Sequence, residues 1–597
     1  MRQPSEHQVD PCRLTSPLAH PPMESPPMSI RTAKFADFSE RPDPRARQRH
    51  ASHREEAVAT LASIQERRMP STGGVRPRRT DDTMHDHVAR LRADRRSAVD
   101  GPGELATKRQ HDRGKLTARE RLELLLDSGT FVELDLFVRH RSVALGLADH
   151  RPATDGVVTG WGRIHDRVVF VFAHDFRIFG GSLGEVFAAK VQKVMDMAAS
   201  VGAPLIGLND GAGARIQEGV AALAGYAGIF RRSVRLSGVV PQISVIMGPC
   251  AGGAAYSPAL TDFVGMVRGT SQMFLTGPDV ISAVTGESVT SEALGGADAH
   301  GARSGVASFV AEDEAECLET VRHLISFLPS NNMEPPPYYP PEDRPDRRCD
   351  ELLDIVPASP RQSYDIHKVI EAIVDDGETL EIQPGWARNI VCALARIDGH
   401  VAGIVANQPT VLAGALDLDA SDKAARFVRM CDAFNIPIVS LVDVPGFLPG
   451  VQQEHDGVIR HGAKLLFAYA EATVPRIQII LRKAFGGAYI VMDSKPLGAD
   501  LCLAWPSNEV AVMGAEAAAN VIFKREIAGA HDPDARRSEL TEQYIETCMH
   551  PYAAAELGLV DDVIDPRDTR QVLVRALAML RSKREELPAR KHGTMPL

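Results

Sequence analysis

The chain repeats its own pattern at an offset of about 230 residues. Asp210 ends a strand-like run in the first half, and Asp443 ends the matching run 233 residues later. The turns Gly252-Gly253-Ala254 and Gly486-Gly487-Ala488 are 234 residues apart. A nearly constant offset across several elements is hard to obtain by chance, and its period is too long for a solenoid. We therefore predict an internal duplication. The alternative is a pair of unrelated α/β domains whose Gly and Pro residues fall at matching positions by chance.

Short apolar runs alternate with longer helical patterns in both halves, which is typical of βα units with largely buried sheets. The predicted fold class is therefore α/β. Helices are predicted at His85–Ala98 and at Thr117–Leu126, where Thr117 and Glu120 have the spacing of a capping box. The predicted strands include Val168–Phe172, Pro204–Leu208, Ile243–Met247, Val401–Ala406, Ile436–Val442 and Ile477–Leu481.

A chain of 597 residues exceeds what one hydrophobic core usually serves, so at least two domains are expected. We predict domains at residues 84–340 and 349–590. The proline-rich, charged segment Pro329–Arg348 has the composition of an extended linker between them. Residues 1–83 show little apolar periodicity and are predicted to be a disordered extension. A translation start at or near Met84 is an equal alternative for that segment.

Composition excludes several classes of protein. The formal net charge of -11 disfavours a general nucleic-acid binder. Because the sequence has no run of about 18 apolar residues, no membrane-spanning helix is expected. The eight cysteines include no Cys-x-x-Cys pair, so a zinc ribbon is not expected and no metal site is predicted. Cysteines this sparse fit a reducing, cytoplasmic compartment, where most of them would be small buried hydrophobic residues.

Each glycine turn stands between a strand pattern and a helix pattern. Glycine permits close backbone approach there, and the following helix start offers free N–H groups at its positive dipole end. Such a turn can hold an anion or a carbonyl oxygen that becomes one. Tight strand–helix packing alone would explain a single turn, but two equivalent turns favour the functional interpretation. The sequence has no phosphate-binding loop of the Walker type and no Met-Lys-Met biotin-attachment site.

Long stretches around these turns resemble the carboxyltransferase (β) subunits of biotin-dependent acyl-CoA carboxylases. The resemblance extends from about Met84 to the C-terminus and does not include the N-terminal extension. The stretches that carry it are NDGAGARIQEG (209–219), GPCAGGAAYSPAL (248–260), FLTGPDVI (274–281), LPSNNMEPPP (328–337), LVDVPGFLPG (441–450) and KAFGGAYIVMDSKPLGAD (483–500).

This resemblance implies two tandem crotonase-like domains, in agreement with the duplication. It also implies transfer of a carboxyl group from carboxybiotin to the α carbon of acetyl-CoA or propionyl-CoA. A biotin carboxylase and biotin carrier (α) subunit would bring the biotin, and coenzyme A would form part of the substrate. Family members form ring-like hexamers whose active sites lie between the N-terminal domain of one chain and the C-terminal domain of another. We therefore expect a homo-hexamer without nucleic-acid or membrane partners.

The resemblance also assigns roles to particular residues. Negative charge develops on the thioester oxygen of the acyl-CoA and on the ureido oxygen of biotin, so two oxyanion holes are needed. The first is expected at Gly252, Gly253 and Ala254 for acyl-CoA, and the second at Gly487 and Ala488 for biotin. Isoleucine at position 490, beside Tyr489, goes with acceptance of acetyl-CoA.

Two further loops are candidates for substrate binding by the same resemblance. Gly213-Ala214-Arg215 is expected to contact CoA, although a surface ion pair would explain Arg215 equally well. Pro445-Gly446-Phe447 is expected to shape the biotin side, or to be an ordinary turn. Two other functions remain open: the carboxyltransferase component of a biotin-dependent decarboxylase or transcarboxylase, and an inactive scaffold subunit.

Overall fold

Two eight-stranded mixed sheets form the framework in the computed structural model, which describes residues 82–596. The predicted disordered extension therefore lies almost entirely outside the described residues. In the first sheet the strand order is β1-β2-β3-β4-β5-β6-β8, and β7 pairs with β5. Its strands are β1 Val132–Leu134, β2 Val157–Ile164, β3 Arg167–His174, β4 Leu205–Gly211, β5 Gln242–Ala251, β6 Phe263–Val267, β7 Gln272–Phe274 and β8 Phe309–Ala311.

The second sheet has the same topology. Its order is β16-β14-β13-β12-β11-β10-β9, with β15 paired to β13. In each sheet the three strands that come first in the chain, β1 to β3 and β9 to β11, pair antiparallel with one another. The other neighbouring strands pair in parallel. The duplication predicted from the offset is therefore confirmed. The strands are β9 Thr379–Glu381, β10 Ile390–Ile397, β11 His400–Asn407, β12 Ile438–Val444, β13 Arg476–Phe485, β14 Leu501–Ala504, β15 Glu509–Ala511 and β16 Asp562–Val563.

Helices cover the faces of both sheets. In the first half they are α1 Met84–Asp100, α2 Glu104–His111, α3 Ala118–Leu125, α4 Glu185–Val201, α5 Val220–Leu236, α6 Gly253–Ala259, α7 Pro278–Thr285, α8 Ser291–Gly295, α9 Ala297–Ala302 and α10 Glu314–Phe327. In the second half they are α11 Leu352–Ile355, α12 Ile366–Ile373, α13 Leu418–Ala433, α14 Val451–Asp456, α15 Val458–Glu471, α16 Gly486–Val491, α17 Ala515–Ile522, α18 Lys524–Gly529, α19 Pro533–Tyr544, α20 Pro551–Glu556 and α21 Thr569–Leu580. None of the helices within residues 82–596 is both long and apolar enough to span a bilayer.

The predicted elements are present, and most of them extend a little beyond the predicted bounds. The capping box at the start of α3 is complete: the Thr117 side chain accepts from the N–H of Glu120, and the Glu120 side chain accepts from the N–H of Thr117. This arrangement satisfies two helix-start donors and contributes about 1 kcal/mol. The structure adds what periodicity alone did not predict, namely the antiparallel pairing of β2 with β3 and of β10 with β11.

The equivalence of the halves extends to irregular backbone. The ladder between β4 and β5 shifts register between Asn209 and Gly211, and the ladder between β12 and β13 shifts between Val442 and Val444. Each bulge leaves one aspartate, Asp210 or Asp443, between the two ladder segments. A bulge bends a strand and re-aims the residues that follow it. The strand ends that precede the two glycine turns are therefore shaped in the same way.

The core has three apolar clusters. One lies between the first sheet and helices α4 and α5, and another between the second sheet and helices α12 and α21. The third joins residues of both halves, with contributions from α3, α10, α13 and α15. Because this central cluster is continuous, the two repeats share part of one core. Burial of this apolar surface is what stabilises their association.

The segment Pro329–Arg348 contains no helix or strand, as predicted, but it is not free of contacts. The Asn331 side chain donates to the carbonyl of Gly202, and the N–H of Tyr339 donates to the carbonyl of Gly399. The Asn435 side chain also donates to the carbonyl of Asn332. The linker is therefore packed against both repeats.

Candidate active site

The first glycine turn places two adjacent N–H groups at the start of a helix. Gly252 has a φ of 63°, and its own N–H donates to the carbonyl of Phe274. The chain then enters α6, where a helix start leaves its first N–H groups free. Gly253 and Ala254 are the first two residues of α6, so their N–H groups belong to this helix start. Gly252 therefore forms the turn, while Gly253 and Ala254 offer the donors.

The second turn repeats this arrangement at the start of α16. Gly486 has a φ of 61°, which favours glycine because a side chain would be strained there. Gly487 and Ala488 lie in the first turn of α16, where N–H groups have no partner within the helix. A Cβ added at Gly487 would meet nothing within 4 Å. The predicted donors therefore border open space, as a hole for a ligand oxygen requires.

Each turn lies beside the loop that the sequence assigned to the same site. Gly213 has a φ of 88°, and a Cβ there would be 3.1 Å from the carbonyl oxygen of Ala251, directly before Gly252. In the second half Pro445 follows Val444, which pairs with Ala484 close to the second turn. The bridges Leu183–Ala214 and Leu416–Phe447 hold the two loops in equivalent positions. The structure thus brings each predicted loop to its predicted turn.

The Arg215 side chain lies inside the protein rather than on its surface. It is 1% exposed, and its Nη1 lies 2.6 Å from Asp155 Oδ1 and 2.7 Å from Glu218 Oε1. Its Nη2 donates to the carbonyls of Asp155 and Ser182. The guanidinium also stacks on the Phe179 ring at 4.5 Å. The surface ion pair is therefore wrong: the side chain braces the loop from inside, which leaves Gly213 and Ala214 as the candidates for contact with CoA.

The remaining candidates lie on α16 and on the second loop. Ile490 is 46% exposed, so an apolar side chain faces outward directly after the second turn. Tyr489 is half-buried; burial raises its pKa to about 12, and its hydroxyl has no partner among the described residues. Phe447 packs against Gly462, where a Cβ would come within 2.9 Å of the ring. Gly446 has a φ of 145°.

Nucleophilic chemistry does not fit the polar groups beside the first turn. Burial raises the pKa of Cys250 to about 12, so the thiol stays protonated. The loop Gly180–Gly184 has the Gly-x-Ser-x-Gly pattern of a hydrolase elbow, but the Ser182 hydroxyl donates to the carbonyl of Phe179. The equivalent position in the second half is Ala415. Ser182 is therefore a structural residue of this loop.

Sequence reasoning missed the ionic supports behind the turns. It used Asp210 and Asp443 only as markers of the repeat, yet both carboxylates are fully buried. Asp210 pairs with Lys115 and Arg121, and Asp443 pairs with Arg482. Their equivalent position at two strand ends was the available signal, but the partners could not be read from spacing.

The match with known protein families agrees with this geometry. The family of the carboxyl transferase domain matches residues 109–595. The chain belongs to the carboxyl transferase family. It is 59% identical over 86% of its length to the whole propionyl-CoA carboxylase carboxyltransferase subunit of Haloferax mediterranei. It is also 55% identical over 83% of its length to the methylmalonyl-CoA decarboxylase subunit alpha of Propionigenium modestum, of which 96% is covered.

Solved structures of the family show the same architecture. Transcarboxylase 12S superposes with a TM-score of 0.85 at 52% identity, covering 87% of this chain and all of that chain. That protein is a hexamer with methylmalonyl-coenzyme A and methylmalonic acid bound. The fold of the present chain is therefore a pair of tandem crotonase-like domains, as the resemblance implied. The chain is a carboxyltransferase subunit of the biotin-dependent acyl-CoA carboxylase type, and hence an enzyme.

Proposed function

We propose that this chain moves a carboxyl group from carboxybiotin, carried on a biotin carboxylase and carrier subunit, to the α carbon of acetyl-CoA or propionyl-CoA. The products are malonyl-CoA and methylmalonyl-CoA. The observation that carries the proposal is the pair of equivalent turns, each with two adjacent N–H groups at a helix start, where N–H groups have no partner within the helix. A reaction that develops negative charge on two oxygens needs two such holes.

The two turns receive different ligands in this proposal. Gly253 and Ala254 donate to the thioester oxygen of acyl-CoA, with Gly252 setting the turn, while Gly487 and Ala488 donate to the ureido oxygen of biotin. Fixed N–H groups stabilise developing charge without reorganising, and removal of one such donor costs roughly 3 kcal/mol in studied enzymes. Gly213 and Ala214 border the acyl-CoA side, and Pro445, Gly446 and Phe447 border the biotin side.

The second turn fits biotin in shape as well as in polarity. Gly487 has no side chain, and a Cβ built on it would enter open space rather than protein. The exposed Ile490 and half-buried Tyr489 supply apolar surface next to the donors. Carboxybiotin, when bound, supplies the activated carboxyl group. The chain's own contribution is to hold the ureido oxygen at Gly487 and Ala488.

Ile490 supports acetyl-CoA as an accepted substrate, whereas propionyl-CoA stands in the name of the Haloferax relative. The Mycobacterium tuberculosis relative, 53% identical, is an acetyl-/propionyl-coenzyme A carboxylase β5 subunit. A single methylene in an apolar pocket is worth only about 1–3 kcal/mol, so one site can accept both substrates. We propose mixed specificity, with acetyl-CoA and propionyl-CoA both carboxylated faster than butyryl-CoA.

The proposed assembly is a cytoplasmic homo-hexamer whose active sites form between the first repeat of one chain and the second repeat of another. The hexameric relative supports this proposal. Among the described residues the seven cysteines are all free thiols, and six of them are buried, which agrees with a reducing compartment.

The direct test is an acyl-CoA rate series. The chain is purified with its biotin-bearing partner, and carboxylation of acetyl-, propionyl- and butyryl-CoA is followed with ATP and bicarbonate. We expect product from the first two substrates. Absence of ATP-dependent product with all three would overturn the proposal.

A second test blocks each hole separately. Gly253 and Gly487 both have room for a side chain, so Gly253→Leu and Gly487→Leu are expected to fold and to lose at least about 100-fold in kcat. Gly529→Leu is the matched control, since a Cβ at Gly529 also meets nothing within 4 Å. Wild-type rates in both turn variants would show that the turns are not oxyanion holes; the activity would then belong to another subunit, and this chain would be a scaffold.

A decarboxylase or transcarboxylase component is the second candidate, favoured by the Propionigenium relative and by the transcarboxylase structure. The same two holes serve carboxyl transfer in both directions. The partner subunits decide between the two functions, so co-purification separates them. An ATP-dependent biotin carboxylase indicates a carboxylase, whereas a membrane subunit indicates a decarboxylase.

A further inference from the structure

The two bulge aspartates, Asp210 and Asp443, are tied to the strands that carry the turns. Both carboxylates are 0% exposed, so neither touches a ligand. Each lies on the strand next to the one that ends in a glycine turn. Their contacts therefore act on the backbone just before the oxyanion donors.

In the second half Asp443 holds β13 directly. Its Oδ1 accepts the backbone N–H of Lys483 at 3.2 Å, three residues before Gly486. Its Oδ2 lies 2.9 Å from Nη2 of Arg482 and accepts from Nε at 3.1 Å. Arg482 also donates to the carbonyls of Ser359 and Gln362. The strand end is thus fixed at both the main chain and the side chain.

In the first half Asp210 supports β5 through different cations. Its Oδ1 lies 2.5 Å from Lys115 Nζ, and its Oδ2 lies 2.9 Å from Arg121 Nη1. Arg121 also donates to the carbonyl of Met247 in β5. A Cβ at Gly248 would clash with Asp210 Oδ1, so the carboxylate rests against the β5 backbone four residues before Gly252.

Both halves have an aspartate at the equivalent position, but the cation that pairs with it comes from different parts of the chain. Arg482 of β13 corresponds to Gly248 of β5 at the repeat offset of 234. Gly248 leaves the space that Lys115 Nζ occupies, since a Cβ there would be only 2.5 Å from that atom. The first repeat therefore recruits Lys115 and Arg121 from the residues that precede its sheet, where the second repeat uses its own strand.

We propose that Asp443 and Asp210 are positioning residues, each setting the oxyanion donors of one turn through the backbone of the adjacent strand. This inference rests on the proposed function. Because the distance from anchor to turn is only three or four residues of strand, a small displacement at the anchor moves the N–H groups. Loss of Asp443 then weakens the biotin side alone, and loss of Asp210 weakens the acyl-CoA side alone.

The test uses the full-length chain and carboxyl transfer from malonyl-CoA to free biotin. In this reaction the carboxyl leaves the acyl-CoA carbon for a biotin nitrogen, and the nitrogen's proton goes to that carbon. KM is measured for each substrate in Asp443→Asn and Asp210→Asn. Asp443→Asn is expected to raise KM for biotin at least tenfold while KM for malonyl-CoA stays within twofold. Asp210→Asn is expected to raise KM for malonyl-CoA at least tenfold while KM for biotin stays within twofold.

Asp375→Asn is the matched control. Asp375 forms a buried pair with Arg570 at 2.5 Å in the second repeat, and neither residue lies on β12 or β13. This variant should lower the unfolding temperature without separating the two KM values. If the Asp443 and Asp210 variants behave like this control, or move both KM values together, the positioning role is wrong.

The conservative variants Arg482→Lys and Arg121→Lys keep a cation beside each aspartate and serve if an Asn variant does not fold. Each is expected to show the same split as its aspartate, at three- to tenfold; no split in either overturns the inference. Failure of the proposed function is distinct, because the wild-type chain itself would then transfer no carboxyl to biotin.

Discussion

His174, the last residue of β3, illustrates how burial sets a charge state beside the first site. Burial lowers its pKa to about 4, and its Nδ1 has no partner among the described residues. That nitrogen lies close to Gly211, where a Cβ would be 3.0 Å away. The imidazole is therefore neutral at pH 7 and packs as an aromatic ring, with the Phe187 ring edge-on at 4.9 Å.

The pH dependence of stability follows from this residue. Its pKa is about 4 in the folded chain, against 6.5 for a solvent-exposed histidine, so the unfolded chain binds the proton more readily below pH 6.5. The contribution of neutral His174 to the free energy of unfolding is fully present above pH 6.5. It falls as the pH drops towards 4, by about 2 kcal/mol at pH 5. His174→Gln should remove this part of the decline, measured as the urea midpoint at pH 7 and pH 5. Equal pH dependence in the variant and the wild type would contradict the assignment.

At the scale of elements, α3 is the support of the first site rather than a peripheral helix. Its capping box defines its start, and Leu122 and Leu125 bury one face in the central core. The fully buried Arg121 then links Asp210 to Glu314 of α10, which its Nη2 reaches at 2.5 Å. A buried charge that loses its partner is costly, so this helix and β4 depend on each other.

Arg121→Met is therefore expected to destabilise the chain by about 3–5 kcal/mol, because Asp210 and Glu314 lose a shared cation in the interior. Lys108→Met on the neighbouring helix α2 is the control. Lys108 pairs with Asp112 on the surface, with side chains 70% and 59% exposed, and its loss should change stability by less than about 1 kcal/mol. Thermal and urea unfolding of both variants measure the difference. Similar losses would show that the buried network contributes little.

At the scale of the molecule, both repeats expose large apolar side chains around their turns. The exposed residues occur in equivalent pairs. The pairs are Tyr256 and Ile490, Leu275 and Val512, and Val284 and Val521. Exposed apolar side chains at equivalent positions of the two repeats fit the proposed association of unlike repeats from different chains.

The exposed apolar residues lead to a prediction about the oligomeric state. Light scattering at micromolar concentration should give the mass of several chains, and Val512→Glu should lower it together with activity. Val512 is 77% exposed in the single chain, so the folded chain itself should tolerate the charge. Leu557→Glu, at a residue 76% exposed and far in sequence from both turns, is the control. A monomeric wild-type chain, or an unchanged mass in Val512→Glu, would count against sites shared between chains.

Sequence alone determined the duplication, the alternating elements and the residues of both turns. These features are local or periodic: a strand end, glycines with positive φ and a helix start must be adjacent in the chain. The capping box at Thr117 is of the same kind, because its partner is three residues away. The family assignment relied on the same stretches.

Tertiary structure decided which groups meet across the fold. Arg121 reaches Asp210 over 89 residues, and Arg215 reaches Asp155 over 60, so no spacing rule could pair them. It also decided that Gly252 forms the turn rather than donating, because Phe274 on another strand takes its N–H. Long-range pairs depend on how the sheets pack, and packing is a property of the whole chain rather than of any segment.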